Sequence, residues 1–121
     1  MATIAIDADN FREHVSRPGL TLIEFWAEWC GPCRYFGPLF ERVSERHPDV
    51  VCGKVNTEVQ TELAGALRIR SIPTLMAFRD GVLLFNEPGA LPEAVLDALL
   101  AQIRALDMDD IRASLKNRPA P

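Results

Sequence analysis

Apolar positions in this chain alternate between two rhythms, one suited to strands and one to helices. Thr3 to Ile6 reads as a short strand. Asp7 is placed to cap a helix of about ten residues ending near Pro18-Gly19, in which Phe11 and Val15 share a face at i, i+4. Leu20 to Ala27 is a nearly continuous apolar run interrupted by Glu24, which suits a central strand covered on both faces. Pro32 to His47 carries Phe36, Leu39, Phe40 and Val43 at i, i+3, i+4, i+7, a buried helical stripe. Pro32 is tolerated in the first turn of that helix, whereas Pro38 lies inside it and predicts a kink. Val50 to Val55 is a second buried strand, so strand, helix and strand form a right-handed parallel unit.

Thr57 and Gln60 have the spacing of a capping box for a short helix to Leu67. Arg68 to Pro73 reads as a loop and Thr74 to Phe78 as a strand. Asp80-Gly81 then predicts a type I′ hairpin turn into a strand from Val82 to Asn86. Pro88-Gly89 breaks the chain. A helix from Pro92 to Leu106 follows, with Val95, Leu96, Leu99, Leu100, Ile103 and Leu106 as its apolar set. Asp107 is placed to cap a last short helix to Asn117, with Ile111 and Leu115 on one face, before a Pro-Ala-Pro end expected to fray.

Composition narrows the function classes. The 121 residues suit one domain, and 48% hydrophobic with 25% charged residues is ordinary for a globular chain. Thirteen basic against 17 acidic residues give a net charge of −4 with no basic patch, so nucleic-acid binding has no electrostatic support. No apolar stretch approaches the roughly 18 residues of a membrane span. The N-terminus has no basic region leading into a long apolar run, so it does not read as a signal peptide. Three cysteines are too few for a disulfide framework, and a reducing cytoplasm is the expected setting.

The chemistry concentrates in Trp29-Cys30-Gly31-Pro32-Cys33. This segment joins a strand to a helix, so Cys30 meets backbone N–H groups with no partner inside the helix, at the positive end of its dipole. Such a site favours thiolate, the nucleophilic form. Cys33 is near enough in sequence to close a disulfide with it. The cysteines have two other conceivable uses. One is an inert structural pair. The other is a zinc site built from Cys30, Cys33, His47 and Cys52. A helix from Cys33 to His47 would hold those two roughly 21 Å apart, too far for one ion. Cys52 reads as a small core residue, Met76 as core filler, and His14 and His47 as surface residues. Asp107, Asp109 and Asp110 read as an acidic first helical turn rather than a calcium site.

The run Ile23-Glu24-Phe25-Trp26-Ala27-Glu28-Trp29-Cys30-Gly31-Pro32-Cys33 resembles the thioredoxin family. So do Pro38, Lys54-Val55-Asn56, Ile72-Pro73-Thr74, Asp80-Gly81 and Gly89-Ala90, in the family's order over residues 3 to 106. The resemblance implies an α/β thioredoxin fold, with a five-stranded mixed sheet flanked by four helices. Residues 1–106 would form this domain. Residues 107–121 would be a C-terminal extension, a short helix and a tail beyond the family's minimum. It also implies a cytoplasmic, monomeric thiol-disulfide oxidoreductase that reduces protein disulfides and binds no cofactor. Electrons would come from NADPH through a flavin-containing thioredoxin reductase. Clients would include ribonucleotide reductase, peroxiredoxins and methionine sulfoxide reductases.

Under the same resemblance Cys30 attacks a substrate disulfide, and Cys33 then resolves the mixed disulfide. Glu24 stands where the family usually has aspartate, and would accept the Cys33 proton through a water. Burial in its apolar run would raise its pKa, and Lys54 in the neighbouring strand would be its partner. A surface glutamate at a strand end and an ordinary exposed lysine are the plainer alternatives. Pro73 is expected to follow a cis bond from Ile72. Trp29, Gly31, Pro32, Ile72, Pro73, Gly89 and Ala90 would line the docking surface, although Trp29 could instead be plain core. Trp26 is expected to pack beneath the site, and Arg34 either to stabilise the thiolate or to be merely solvated. Two rival functions remain. One is a non-enzymatic binding module that uses the C-terminal extension, with Met108, Ile111 and Leu115 as its contacts. The other is a disulfide oxidase or isomerase, against which the Gly-Pro pair argues.

Overall fold

A computed structural model describes residues 2–117. The element order is β1 (Thr3–Ala5), α1 (Phe11–Ser16), β2 (Leu20–Trp26), α2 (Gly31–Arg46), β3 (Val51–Asn56), α3 (Thr61–Ala66), β4 (Thr74–Arg79), β5 (Val82–Pro88), α4 (Glu93–Ala105) and α5 (Met108–Lys116). The strands form one mixed sheet in the order β1-β3-β2-β4-β5. β3 runs parallel to both β1 and β2, while β4 is antiparallel to β2 and β5. The expected five strands and their mixed pairing are therefore present, with four helices and a short fifth.

Strand parity sorts the core onto two faces. Leu20 and Leu22 of β2 and Cys52 of β3 face α2 and α4, meeting Phe36, Phe40, Val43, Leu96, Leu100 and Ile103. Ile23 and Phe25 face the other way, with Val55, Met76 and Phe78 and the half-buried Phe11, Val15 and Leu63 of α1 and α3. Glu24 has the parity of Leu22, so the sheet aims its carboxyl under α2 rather than into solvent. Lys54 lies directly beside it in the β2–β3 register.

Asp80 (φ 53) and Gly81 (φ 81) form the two-residue turn between Arg79 and Val82, as the type I′ expectation requires. A bulge at Ala77/Phe78 offsets the rest of the β4–β5 ladder. α2 continues without a break through Pro38. Asp107 caps α5 by accepting from the N–H groups of Asp109 and Asp110. Met108 is buried, and Arg112 of α5 lies 3.3 Å from Asp80 in the hairpin turn. Ile111 is half-buried and Leu115 exposed. The Pro-Ala-Pro end lies outside the described residues.

Three local expectations need correction. The first helix is six residues long, with Asn10 before it. The Asp7 carboxylate accepts from the N–H groups of Asp9 and Asn10, so it caps a preceding turn rather than a ten-residue helix. The Thr57–Gln60 capping box does not form. The Thr57 hydroxyl donates to the Trp26 carbonyl, and α3 starts later, at Thr61. His47 is not a plain surface residue, since its side chain is only 18% exposed. Its Nε2 lies 2.9 Å from Asp97, and Arg104 approaches its Nδ1 at 3.1 Å, tying the end of α2 to α4.

The sheet edge is also occupied by side chains. The Glu41 carboxylate of α2 accepts from Ala2 N–H at 2.9 Å and from the Thr3 hydroxyl at 2.6 Å, with Thr3 N–H at 3.4 Å. The Asn10 amide donates to the Ala5 carbonyl.

Candidate active site

The site begins where β2 ends. Cys30 is the N-cap of α2, with extended φ −80 and ψ 114, and Gly31 and Pro32 form the first turn. Proline has no N–H to leave unpaired there. The Cys30 sulfur accepts from the Cys33 N–H at 3.2 Å, so it takes up one of the free donors of the helix start. Cys30 and Cys33 form a disulfide, with Cα atoms 5.2 Å apart. Both residues are buried, in a small cluster with Ala27, against which Trp26 and Ile72 pack. No group of three or more metal-ligating side chains occurs among the described residues, and Cys52 is a buried free thiol in the main core.

A second element comes in from β4. The Ile72–Pro73 bond is cis. The Ile72 carbonyl lies 3.7 Å from the Cys30 sulfur. The Thr74 hydroxyl donates to the Ser71 carbonyl, which fixes the loop from behind. Gly89, at φ +107, donates its N–H to the Pro73 carbonyl at 2.7 Å. That positive φ is open to glycine at no steric cost. The bond brings Gly89-Ala90 beside Pro73, and both are exposed.

Trp29 is 65% exposed, so it is not core. Its indole N–H donates to the Glu58 carboxylate at 2.5 Å. The turn that carries Glu58 is held in place: Asn56 accepts the Glu58 N–H through its side chain, and Thr57 N–H donates to the Trp26 carbonyl. Sequence reasoning missed Glu58. The signal was the Asn56-Thr57-Glu58 stretch, an Asx turn at a strand end. Arg34 is exposed, and its Nε–H donates to the Glu28 carbonyl.

Glu24 stands on β2, paired in register with Lys54 of β3. It is fully buried, which removes the surface-glutamate alternative, and among the described residues neither carboxylate oxygen has a hydrogen-bond partner. Lys54 Nζ is 3.8 Å from Oε1 and 5.1 Å above the Trp26 ring. Burial pushes the Glu24 carboxyl up from 4.5 to about 7, and the Lys54 charge opposes the rise without cancelling it. A cleft of about 580 Å³ reaches this region, lined by Trp26, Ala27, Cys33, Gly37, Pro38 and Lys54 among others. It connects the neighbourhood of the second cysteine with the lysine over the buried acid. A carboxyl that is half-ionised near neutrality can take or give a proton there.

Comparison with known proteins agrees with this geometry. The thioredoxin family model matches residues 2–102. A thioredoxin-2-type protein of Streptomyces coelicolor is 50% identical over 119 residues, 98% of this chain and 89% of that protein. Thioredoxin of Alicyclobacillus acidocaldarius is 36% identical over 103 residues, 84% of this chain and 98% of that one. The crystal structure of Malassezia sympodialis thioredoxin superposes with a TM-score of 0.74 at 31% identity, covering 84% of this chain and 90% of that one.

Proposed function

The chain belongs to the thioredoxin family, and from that premise we propose how its residues carry out the chemistry. It is a thiol-disulfide oxidoreductase with protein-disulfide reductase activity. Family members bind no cofactor of their own. The observation that carries the reading is the Cys30–Cys33 pair at the start of α2, with the Ile72 carbonyl 3.7 Å from the Cys30 sulfur.

In the reduced protein Cys30 is the nucleophile. Its thiolate attacks one sulfur of a client disulfide, forming a mixed disulfide and expelling the other client sulfur, which takes up a proton. Glu24 accepts the Cys33 proton through a water in the adjoining cleft. The Cys33 thiolate then attacks Cys30, and the second client sulfur leaves as a thiolate and takes up the proton that Glu24 held. The client gains two electrons and two protons, and the protein is left as the Cys30–Cys33 disulfide. Lys54 positions the Glu24 carboxyl and tempers its pKa. Trp29, Gly31, Pro32, Ile72, Pro73, Gly89 and Ala90 form the docking surface; the exposed indole of Trp29 supports that role, and Pro73 is buried at its base.

The electron source is NADPH, delivered by a flavin-containing thioredoxin reductase. The clients are disulfide-containing proteins of the ribonucleotide reductase, peroxiredoxin and methionine sulfoxide reductase classes. The protein acts as a cytoplasmic monomer. Residues 107–121 are an extension of the 1–106 domain, and the burial of Met108 supports a bracing role for α5.

Cys33→Ser is the decisive test. The variant should trap clients as mixed disulfides through Cys30 and cease to turn over in insulin reduction with dithiothreitol. A binding module would instead keep its partners after both cysteines became serine. A redox titration against glutathione far above the reductase range of about −270 mV would favour an oxidase.

A further inference from the structure

Between the Trp29 indole and the loop before Pro73 runs a groove of about 360 Å³, lined by Trp29, Thr57, Ile69, Arg70, Ser71 and Ile72. It opens beside the reacting sulfur, because Ile72 also contacts Cys30. Among the described residues no hydrogen bond takes up the Ile72 N–H, so the backbone here is free to pair with an extended segment.

Arg70 is the one charged side chain on the groove wall. It is exposed, and among the described residues it has no hydrogen bond or ion pair. Most other arginines are committed elsewhere. Arg42 and Arg46 bind Glu93, Arg104 binds Asp49, Arg79 holds the carbonyls at the end of α4, and Arg112 holds Asp80. Glu58, the nearby acid, is engaged by the Trp29 indole.

We propose that this groove is an acidic-residue subsite: Arg70 pairs with an aspartate or glutamate about two positions from the reactive cysteine of the client. The spacing follows from the chain. Arg70 lies two residues from Ile72, and an extended segment laid along the loop advances roughly 3.3 Å per residue. A client residue two places from the one opposite Ile72 therefore comes level with Arg70. The proposal rests on the reductase reading and adds a preference to it. It also runs against the net charge of −4, which by itself would favour basic clients. A preference for acid therefore has to be local.

The test uses symmetric disulfide dimers of a short cysteine peptide with Glu, Gln or Lys two positions to either side of the cysteine. The full-length reduced protein is mixed with each at low ionic strength, and tryptophan fluorescence gives the second-order rate constant as the Cys30–Cys33 disulfide forms. The neutral 2-hydroxyethyl disulfide is the control. The wild type should favour the Glu dimer over the Gln dimer by about two- to fivefold, the range of one solvent-exposed ion pair, with Lys slower still. Arg70→Gln should flatten the series, Arg70→Glu should invert it, and the neutral control should be reduced equally by all three proteins. Salt should erase the preference. A wild type that reduces the Lys dimer as fast as the Glu dimer overturns the subsite, as does an unchanged preference in Arg70→Gln. Failure to reduce even the neutral control would instead overturn the reductase reading, and the subsite with it.

Discussion

Replacing Glu24 by glutamine separates the charge of the buried carboxyl from its shape. Glu24 is fully buried with neither oxygen hydrogen-bonded among the described residues, and burial lifts its pKa from 4.5 to about 7 against the opposing charge of Lys54. At about 1.4 kcal/mol per unit, that difference corresponds to about 3 kcal/mol. The sign follows from proton counting. Below 4.5 both the folded and the unfolded protein hold the proton, and the group contributes no pH dependence. Between 4.5 and about 7 the unfolded chain has released it and the folded one has not, so stability falls as pH rises. Above about 7 both are ionised and the loss is complete.

Glutamine cannot ionise. Urea unfolding of the oxidised proteins, in which Cys33 does not titrate, should therefore show the Glu24→Gln variant gaining on the wild type by about 3 kcal/mol between about pH 4 and pH 8. Any fixed cost of the amide cancels in that difference. Lys54→Met in the wild-type background should extend the fall to higher pH and enlarge the total loss, because the charge that lowers the Glu24 pKa is gone. A stability difference between variant and wild type that stays flat over this range would refute the assignment of a buried, neutral-pH carboxyl.

Other perturbations test other parts of the structure. Burial, aided by Glu41 and Asp49, pushes the Cys52 thiol up to about 12, so iodoacetamide should leave it unlabelled in the folded oxidised protein near pH 8 and label it only on unfolding. Gly53→Ala should cost about 1–3 kcal/mol in a urea melt, because its Cβ would overlap the Ile6 side chain and crowd Ile23 at 3.2 Å. Asp107→Ala should cost α5 about 1 kcal/mol and speed hydrogen exchange at Asp109 and Asp110 in particular, where unchanged exchange would deny the cap its role.

The strands were legible because each is a local pattern. Leu20–Trp26 is apolar on both parities, and Asp80-Gly81 names its own turn. The disulfide pair was legible for the same reason, as both cysteines belong to one helix start. What escaped depends on partners distant in sequence. Thr57 had a backbone N–H donor within reach at a local helix start, but its hydroxyl instead donates to the Trp26 carbonyl, 31 residues away. His47 reads as polar surface until α4 brings Asp97 and Arg104 to it. Glu58 and Arg70 gain meaning only when the fold sets them on either side of Trp29. Glu24 was seen as an anomaly in the sequence. Its burial was expected from the apolar run around it, and strand parity adds the side, under α2 with Leu22.

The side chains at the β1 edge bear on how the molecule behaves among its own kind. An outermost strand with idle amides is a template on which a foreign strand can be added, and sheets that grow this way end as aggregates. Here the outward Thr3 N–H faces Glu41, and the outward Ala5 carbonyl already holds Asn10. A newcomer would have to displace a carboxylate and an amide before its first rung could form. At this edge the sheet is thereby guarded against growing from one molecule into the next.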